Sequence, residues 1–132
     1  MSEENVETVR QVFNSWARGE FRPGALPLDE HVLYVVSTDF PEFGVFVGRD
    51  GFEKYTRRFF AQWERLTIEA ERVEAVGETV LVHCLQHGKG RASGIEGDLR
   101  YFMLFTFRGD RIVRMDAVMH KRQALEAAGR SE

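Results

Sequence analysis

Between residues 52 and 66 the chain places Phe52, Tyr55, Phe59, Phe60, Trp63 and Leu66 at successive spacings of three, four, one, three and three. Such spacing lines them along one face of an α-helix. All but Leu66 are aromatic, so the face is too broad for one neighbouring helix to cover, and a β-sheet is the partner of matching width. Asp50 followed by Glu53 has the pattern of a capping box, with Asp50 as N-cap. A chain with this helix is therefore expected to supply a sheet.

The sheet is legible on the C-terminal side. Thr67 to Val76, Thr79 to His87, Gly97 to Phe107 and Arg111 to His120 read as strands. The turn signals Val76-Gly77-Glu78, Gly88 to Gly94 and Arg108-Gly109-Asp110 separate them and imply antiparallel neighbours. On the N-terminal side Val6, Val9, Val12, Phe13 and Trp16 predict a helix from Glu3 to Arg18. Glu3 and Glu4 suit its positive end, and Gly19 is a natural stop. The two prolines and one glycine of Phe21 to Pro27 predict a turn, followed by at most one short helical turn through Leu28 to His31. Val32 to Val36 then reads as a buried strand. From Thr38 to Gly48 the pattern breaks at Pro41 and Gly44, giving a loop that returns to the sheet through Val45-Phe46-Val47. A last helix, Lys121 to Ala128, ends at Gly129. The expected fold class is α+β: one domain over residues 1–132, with a bent, mixed or antiparallel sheet packed on one face against three to four helices as a cone.

Composition narrows the function classes. The chain has 132 residues and a net charge of −3, and its 18 basic residues are scattered. That is no footprint for nucleic acid. Cys84 is the single cysteine, which rules out an intramolecular disulfide. The acidic N-terminus lacks the basic-then-apolar order of a signal peptide, so a cytoplasmic location is expected. No apolar run approaches the roughly 20 residues of a membrane span.

Several segments carry a family resemblance. They are Glu4-Asn5-Val6-Glu7 to Trp16-Ala17-Arg18-Gly19-Glu20, Asp39 to Gly51, Gly88 to Gly94, Gly109-Asp110-Arg111-Ile112-Val113-Arg114-Met115 and Ala124 to Gly129. Over nearly the whole chain the sequence resembles the SnoaL-like families of the nuclear transport factor 2-like superfamily. That resemblance implies a curved sheet around one small-molecule-sized pocket. It does not imply one activity, since the superfamily holds a steroid isomerase, polyketide cyclases, an epoxide hydrolase, dehydratases and non-catalytic modules.

Strand parity sorts the candidate pocket residues. Val113, Met115, Ala117 and Met119 form one apolar set, opposite Ile112, Arg114, Asp116, Val118 and His120. The resemblance to the steroid isomerase turns Met115, Ala117 and Met119 toward the pocket, with Tyr101, Met103 and Phe105 on the preceding strand. Met103 stands where that enzyme has an oxyanion-binding acid, and Val12 or Phe13 where it has a tyrosine. Without these donors, ketosteroid isomerisation is not expected.

Asp39 stands nine residues before Gly48, the spacing of the isomerase's general base. One reading makes it a carboxylate desolvated by Phe40, Phe43 and Phe46 and raised in pKa for proton transfer. The other makes it an exposed turn residue capping its own backbone. His83 either faces the pocket as donor or proton carrier, or is a satisfied core or surface histidine. His83 and His87 stand about 13 Å apart along a strand and cannot share a metal ion. No zinc-type cluster occurs, and no metal or cofactor is expected. Cys84 reads as a small buried hydrophobe. The glycines at 88, 90 and 94 read as a hairpin, because no helix opens after them to hold phosphate. Trp16, Tyr34, Tyr55, Trp63 and Tyr101 complete the candidate ligand contacts.

Three functions remain open. One is an enzyme acting on an apolar, oxygenated molecule with Asp39 as base and Tyr34, His83 or Tyr101 orienting the substrate. Another is a binding module for an apolar small molecule, with Met103, Met115 and Met119 as an adaptable lining. The third is an interaction protein whose outer sheet face builds a homodimer.

Overall fold

The computed structural model describes residues 3–129. The described residues form three helices and a six-stranded mixed sheet that is not closed into a barrel. Helix α1 (Glu3–Ala17) buries Val9, Val12 and Phe13. It ends at Gly19, whose φ of 77° lies in the left-handed region that glycine tolerates. The Asn5 side-chain amide donates to the Gly109 carbonyl at 2.8 Å, fastening the start of α1 to a distant turn.

Strand β1 (Leu28–Val36) begins four residues before the expected one. Leu28 to His31, expected to be at most a helical turn, is extended: Leu28 stands in parallel register with Ile112, and farther along the strand Leu33 to Val36 pair with Val47 to Gly44 of β2 (Gly44–Val47). The chain then turns at Gly48, φ 74°, directly into α2 (Gly48–Ala61). Its N-cap is Val47, with no side-chain cap; Asp50 lies inside the first turn, so the expected capping box does not form. Asp50 still places a negative charge near the positive helix end.

The helix also stops earlier than its aromatic spacing suggests. Trp63 and Leu66 belong to β3 (Trp63–Val76), which continues through hairpins into β4 (Thr79–Gly90), β5 (Glu96–Arg108) and β6 (Arg111–Val118). The spatial order is β2-β1-β6-β5-β4-β3, with β1 parallel to β6 and the other neighbours antiparallel. A parallel pair needs a long crossover, and everything from β2 to β5 forms it.

Two apolar clusters lie on opposite faces. Helices α1 and α2 cover one, with Val80, Val82, Cys84, Met103, Phe105, Met115 and Ala117 beneath them. Helix α3 (Lys121–Gly129) covers the other, setting Ala124, Ala127 and Ala128 on Leu81, Leu104 and Val118. The expectation that all helices share one face is therefore corrected. Alanines let the helix backbone lie close to the sheet, which is why so short a helix can bury three residues there.

One parity assignment also changes. Ile112 belongs to the inner cluster with Met115 although three residues separate them. A register shift between Thr106 and Phe107, opposite Arg114 and Ile112, accounts for it. A bulge adds a residue to one strand and reverses the facing of what precedes it. Among the described residues, no helix is long and apolar enough to cross a membrane.

Candidate functional site

The inner face is not fully packed. Between α2, the loop after β1 and the far half of β4 and β5 lies a cavity of about 780 Å³. Its α2 wall is the aromatic stripe: Phe52, Tyr55, Phe59 and Phe60 all line it, and no residue of α2 is fully buried. The rings hold one another instead. Tyr55 stacks on Phe59 with centroids 5.7 Å apart, and Tyr34 meets Tyr55 edge-on at 4.9 Å. Trp16 closes the α1 side against Phe21 at 5.8 Å.

On the sheet wall, Phe40 meets Tyr101 edge-on at 5.6 Å, with Met103 and Ala117 also in the lining. The Tyr101 hydroxyl donates to Gln86 Oε1 at 3.0 Å, both residues being buried. Trp63 folds its indole across Gly88; a Cβ at Gly88 would stand 2.6 Å from Trp63 Cζ3, so only glycine fits beneath the ring. Among the described residues, Trp63 Nε1 is the one buried side-chain polar atom without a hydrogen-bond partner.

The chain's three tyrosines all line this cavity. Burial pushes Tyr34 and Tyr101 well above the usual phenol value, with the other tyrosines adding to the effect. Tyr55 is pushed up to about 12, mainly by burial; a hydrogen bond with Tyr34 lowers it and the Glu42 carboxylate raises it. All three are therefore neutral donors near neutral pH.

Charged groups sit at the mouth. Glu42 lines the cavity, accepts from Gln62 Nε2 at 3.4 Å and acts electrostatically on both Tyr55 and Tyr101. Asp98 also lines the mouth, but its Oδ1 is engaged by His87 Nδ1. The Arg91 guanidinium donates to the Ala61 and Trp63 carbonyls at 3.3 and 2.9 Å, tying the β4–β5 hairpin to the end of α2.

With this geometry in place, the sequence comparison is decisive for the family: the model of the SnoaL-like domain matches residues 9–115. The chain belongs to the SnoaL-like family. No curated protein matches it by sequence. Solved structures share the SnoaL-like fold at low identity. An NTF2-like protein of unknown function from Burkholderia pseudomallei is 18% identical over 96% of this chain and 97% of its own, with a TM-score of 0.77. A putative SnoaL-like polyketide cyclase from Jannaschia is 19% identical over 97% and 94%, with a TM-score of 0.75. TerC, crystallised with polyporic acid, is 15% identical over 95% and 98%, with a TM-score of 0.73.

Within this SnoaL-like cavity the structure brings together Trp16, Tyr34, Tyr55, Trp63, Tyr101 and Met103. It does not bring Phe105, Met115 or Met119 to the lining. Phe105 and Met115 are completely buried where α1 covers the sheet, Phe105 edge-on to Phe13 at 6.0 Å. Met119 lies past the end of β6, half-buried at the edge of the inner cluster.

Asp39 and His83 also lie outside it. A turn closed by the Phe40 amide on the Ser37 carbonyl, 3.1 Å, sends the Phe40 ring inward and leaves Asp39 exposed. The Asp39 carboxylate accepts from Ser37 Oγ at 3.0 Å and Gln123 Nε2 at 3.2 Å. His83 stands on the outer face, with Nε2 2.8 Å from Glu74 Oε2 and its ring edge-on to Phe102. Val82, Cys84 and Gln86 hold the inward positions of that strand.

Among the lining residues that the sequence reading does not single out are Gln86 and Glu42. Gln86 has a signal, because it continues the alternation Val80, Val82, Cys84 toward the inner face. Glu42 has none: it lies in a loop without periodicity, three residues beyond Asp39.

Proposed function

We propose that this chain binds an apolar, ring-bearing small molecule that carries oxygen, in the cavity between α2 and the inner face of the sheet. The carrying observation is the lining: aromatic walls around about 780 Å³, with neutral hydroxyl and amide donors in the interior and charge confined to the mouth. Ligand pockets are built this way, apolar over most of their surface with a few placed polar groups, in volumes of roughly 300–1,000 Å³. The polyporic acid of the TerC crystal and the polyketide-cyclase description of the Jannaschia protein support an organic ligand for this fold.

A second reading, proton transfer, rests on Glu42. It is a carboxylate in the lining with neutral tyrosine donors nearby, the combination that abstracts a proton beside a carbonyl and stabilises the resulting enolate. The exposed outer positions Phe43, Val45 and Val47 on and beside the edge strand β2 favour a second copy of the chain as the covering partner; sedimentation as a monomer at micromolar concentration would remove that assignment.

Aminoanthracene, whose fluorescence rises in apolar sites, tests the binding. We expect saturable enhancement with the wild type and its loss in Ala117→Phe, which fills the cavity from the sheet side. Equal enhancement in both proteins would refute the cavity as the site. Deuterium exchange beside the carbonyl of bound tetralone then tests the second reading: Glu42→Gln keeps binding and loses any acceleration over buffer, and a wild type that accelerates nothing leaves binding alone.

A further inference from the structure

The geometry points to Gln86, assisted by Trp63, as the recognition point for a neutral carbonyl oxygen on the bound molecule. The inference rests on the binding reading and adds the polar group that the ligand presents to the sheet wall. Gln86 is buried on the inner face of β4, flanked across the strands by Ile68 and Leu99. Its Oε1 is occupied by the Tyr101 hydroxyl at 3.0 Å. A primary amide carries two further donors on nitrogen, and among the described residues neither has a protein partner, although Gln86 lines the cavity. Two positions along the same face, the Trp63 indole lies on Gly88 with its Nε1 hydrogen equally without an acceptor.

An unmet donor costs free energy: among the described residues Trp63 Nε1 is buried without a partner, and the Gln86 amide nitrogen has no protein partner while its oxygen is already used by Tyr101. A ligand atom that accepts and does not need to donate corrects it. A full anion is disfavoured at Gln86: the donors there are neutral, the carboxylates Glu42 and Asp98 share the lining, and the lining cation, Arg91, is tied by two of its five donors to the Ala61 and Trp63 carbonyls. A ketone or quinone oxygen has the chemistry that remains.

Displacement of aminoanthracene by fluorene, fluorenone and fluorenecarboxylate reads this directly, since the first two differ by one carbonyl oxygen on the same ring system. The wild type is expected to bind fluorenone about three- to tenfold more tightly than fluorene, the range of one or two neutral hydrogen bonds, and fluorenecarboxylate more weakly than fluorenone. In Gln86→Leu the preference, read as the ratio of the fluorenone and fluorene affinities in the same variant, falls to about one. Because that variant also removes the acceptor of Tyr101, Trp63→Phe serves as the independent variant: it leaves the Gln86–Tyr101 bond in place and lowers the preference part-way. An unchanged preference in both variants, no preference in the wild type, or tighter binding of the carboxylate overturns the assignment. Failure of all three compounds and of aminoanthracene to bind overturns the cavity reading itself and this inference with it.

Discussion

Strand β4 shows two answers to one problem. Its inner face runs Val80, Val82, Cys84, Gln86, Gly88, and its outer face Leu81, His83, Leu85, His87. Inward, the first half packs solidly under α1 and the second half opens onto a cavity whose buried polar groups, Gln86 and the hydroxyls of Tyr34 and Tyr101, are neutral. Outward, the first half is sealed by the α3 alanines and the rest of the face carries partly or fully exposed polar pairs, Glu74 with His83, Glu71 with Arg100 and Asp98 with His87. The same backbone thus supports an apolar, unfilled face and an exposed, paired one. Stability is concentrated where the packing is complete, and the capacity to bind where it is not.

The largest expected effect separates packed from unpacked ground on the inner face. Phe105 is fully buried against Phe13, so Phe105→Ala should cost about 3–5 kcal/mol in denaturant unfolding, the range for a buried aromatic replaced by a cavity. Phe59 is half-buried and already borders open space, so Phe59→Ala should cost only about 1–2 kcal/mol while weakening aminoanthracene binding. Similar losses for the two variants would mean that α2 is held by packing and that the cavity is not open in solution.

That contrast also marks what the sequence could show. Periodicity exposed the α2 stripe, the hairpin strands and α1, because each follows from which side chains must leave water. It did not separate a stripe that packs from one that lines a void, and so Phe105 and Met115 stood beside Tyr101 and Met103 as equal candidates. The bulge opposite Ile112 shifts facing by one residue with no compositional mark. The Asp39 loop was read by spacing, yet a single turn at Ser37 gives the inward place to Phe40 and sets Glu42, not Asp39, at the cavity. Loop conformation rests on a few hydrogen bonds rather than on a repeating pattern.

Second in size is the alkaline limit of the inner face. All three tyrosines have raised pKa values through burial, Tyr55 to about 12. Phenols in the unfolded chain ionise near 10, so the folded state favours the protonated form. The resulting stability is fully present below pH 10 and is lost as pH rises through the folded-state values. Tyrosinate ultraviolet absorbance of the native protein should therefore stay flat through pH 10 and appear only as the fold opens or near pH 12. Reversible ionisation of one tyrosine at pH 10 with the fold intact would show that the cavity admits water freely.

The smallest effect belongs to the outer face. Glu74 is held below its usual value of 4.5 first by its hydrogen bond to His83, with charge contributions from Arg72, His83 and Lys121 working against partial burial. A depressed carboxylate contributes stability that is present above the unfolded value and lost as pH falls through the folded one. Glu74→Gln should thus lower stability at neutral pH by less than about 1 kcal/mol, as partly exposed ion pairs do. The deficit should shrink as unfolding is measured at progressively lower pH, because the wild-type carboxylate loses its advantage as it protonates. Aminoanthracene binding should not change at any pH tested, because Glu74 and His83 stand on the far side of the sheet from the cavity. A deficit that does not change as pH falls would assign the effect to packing around His83 and Phe102 rather than to charge, and altered binding would mean that the two faces are coupled through β4.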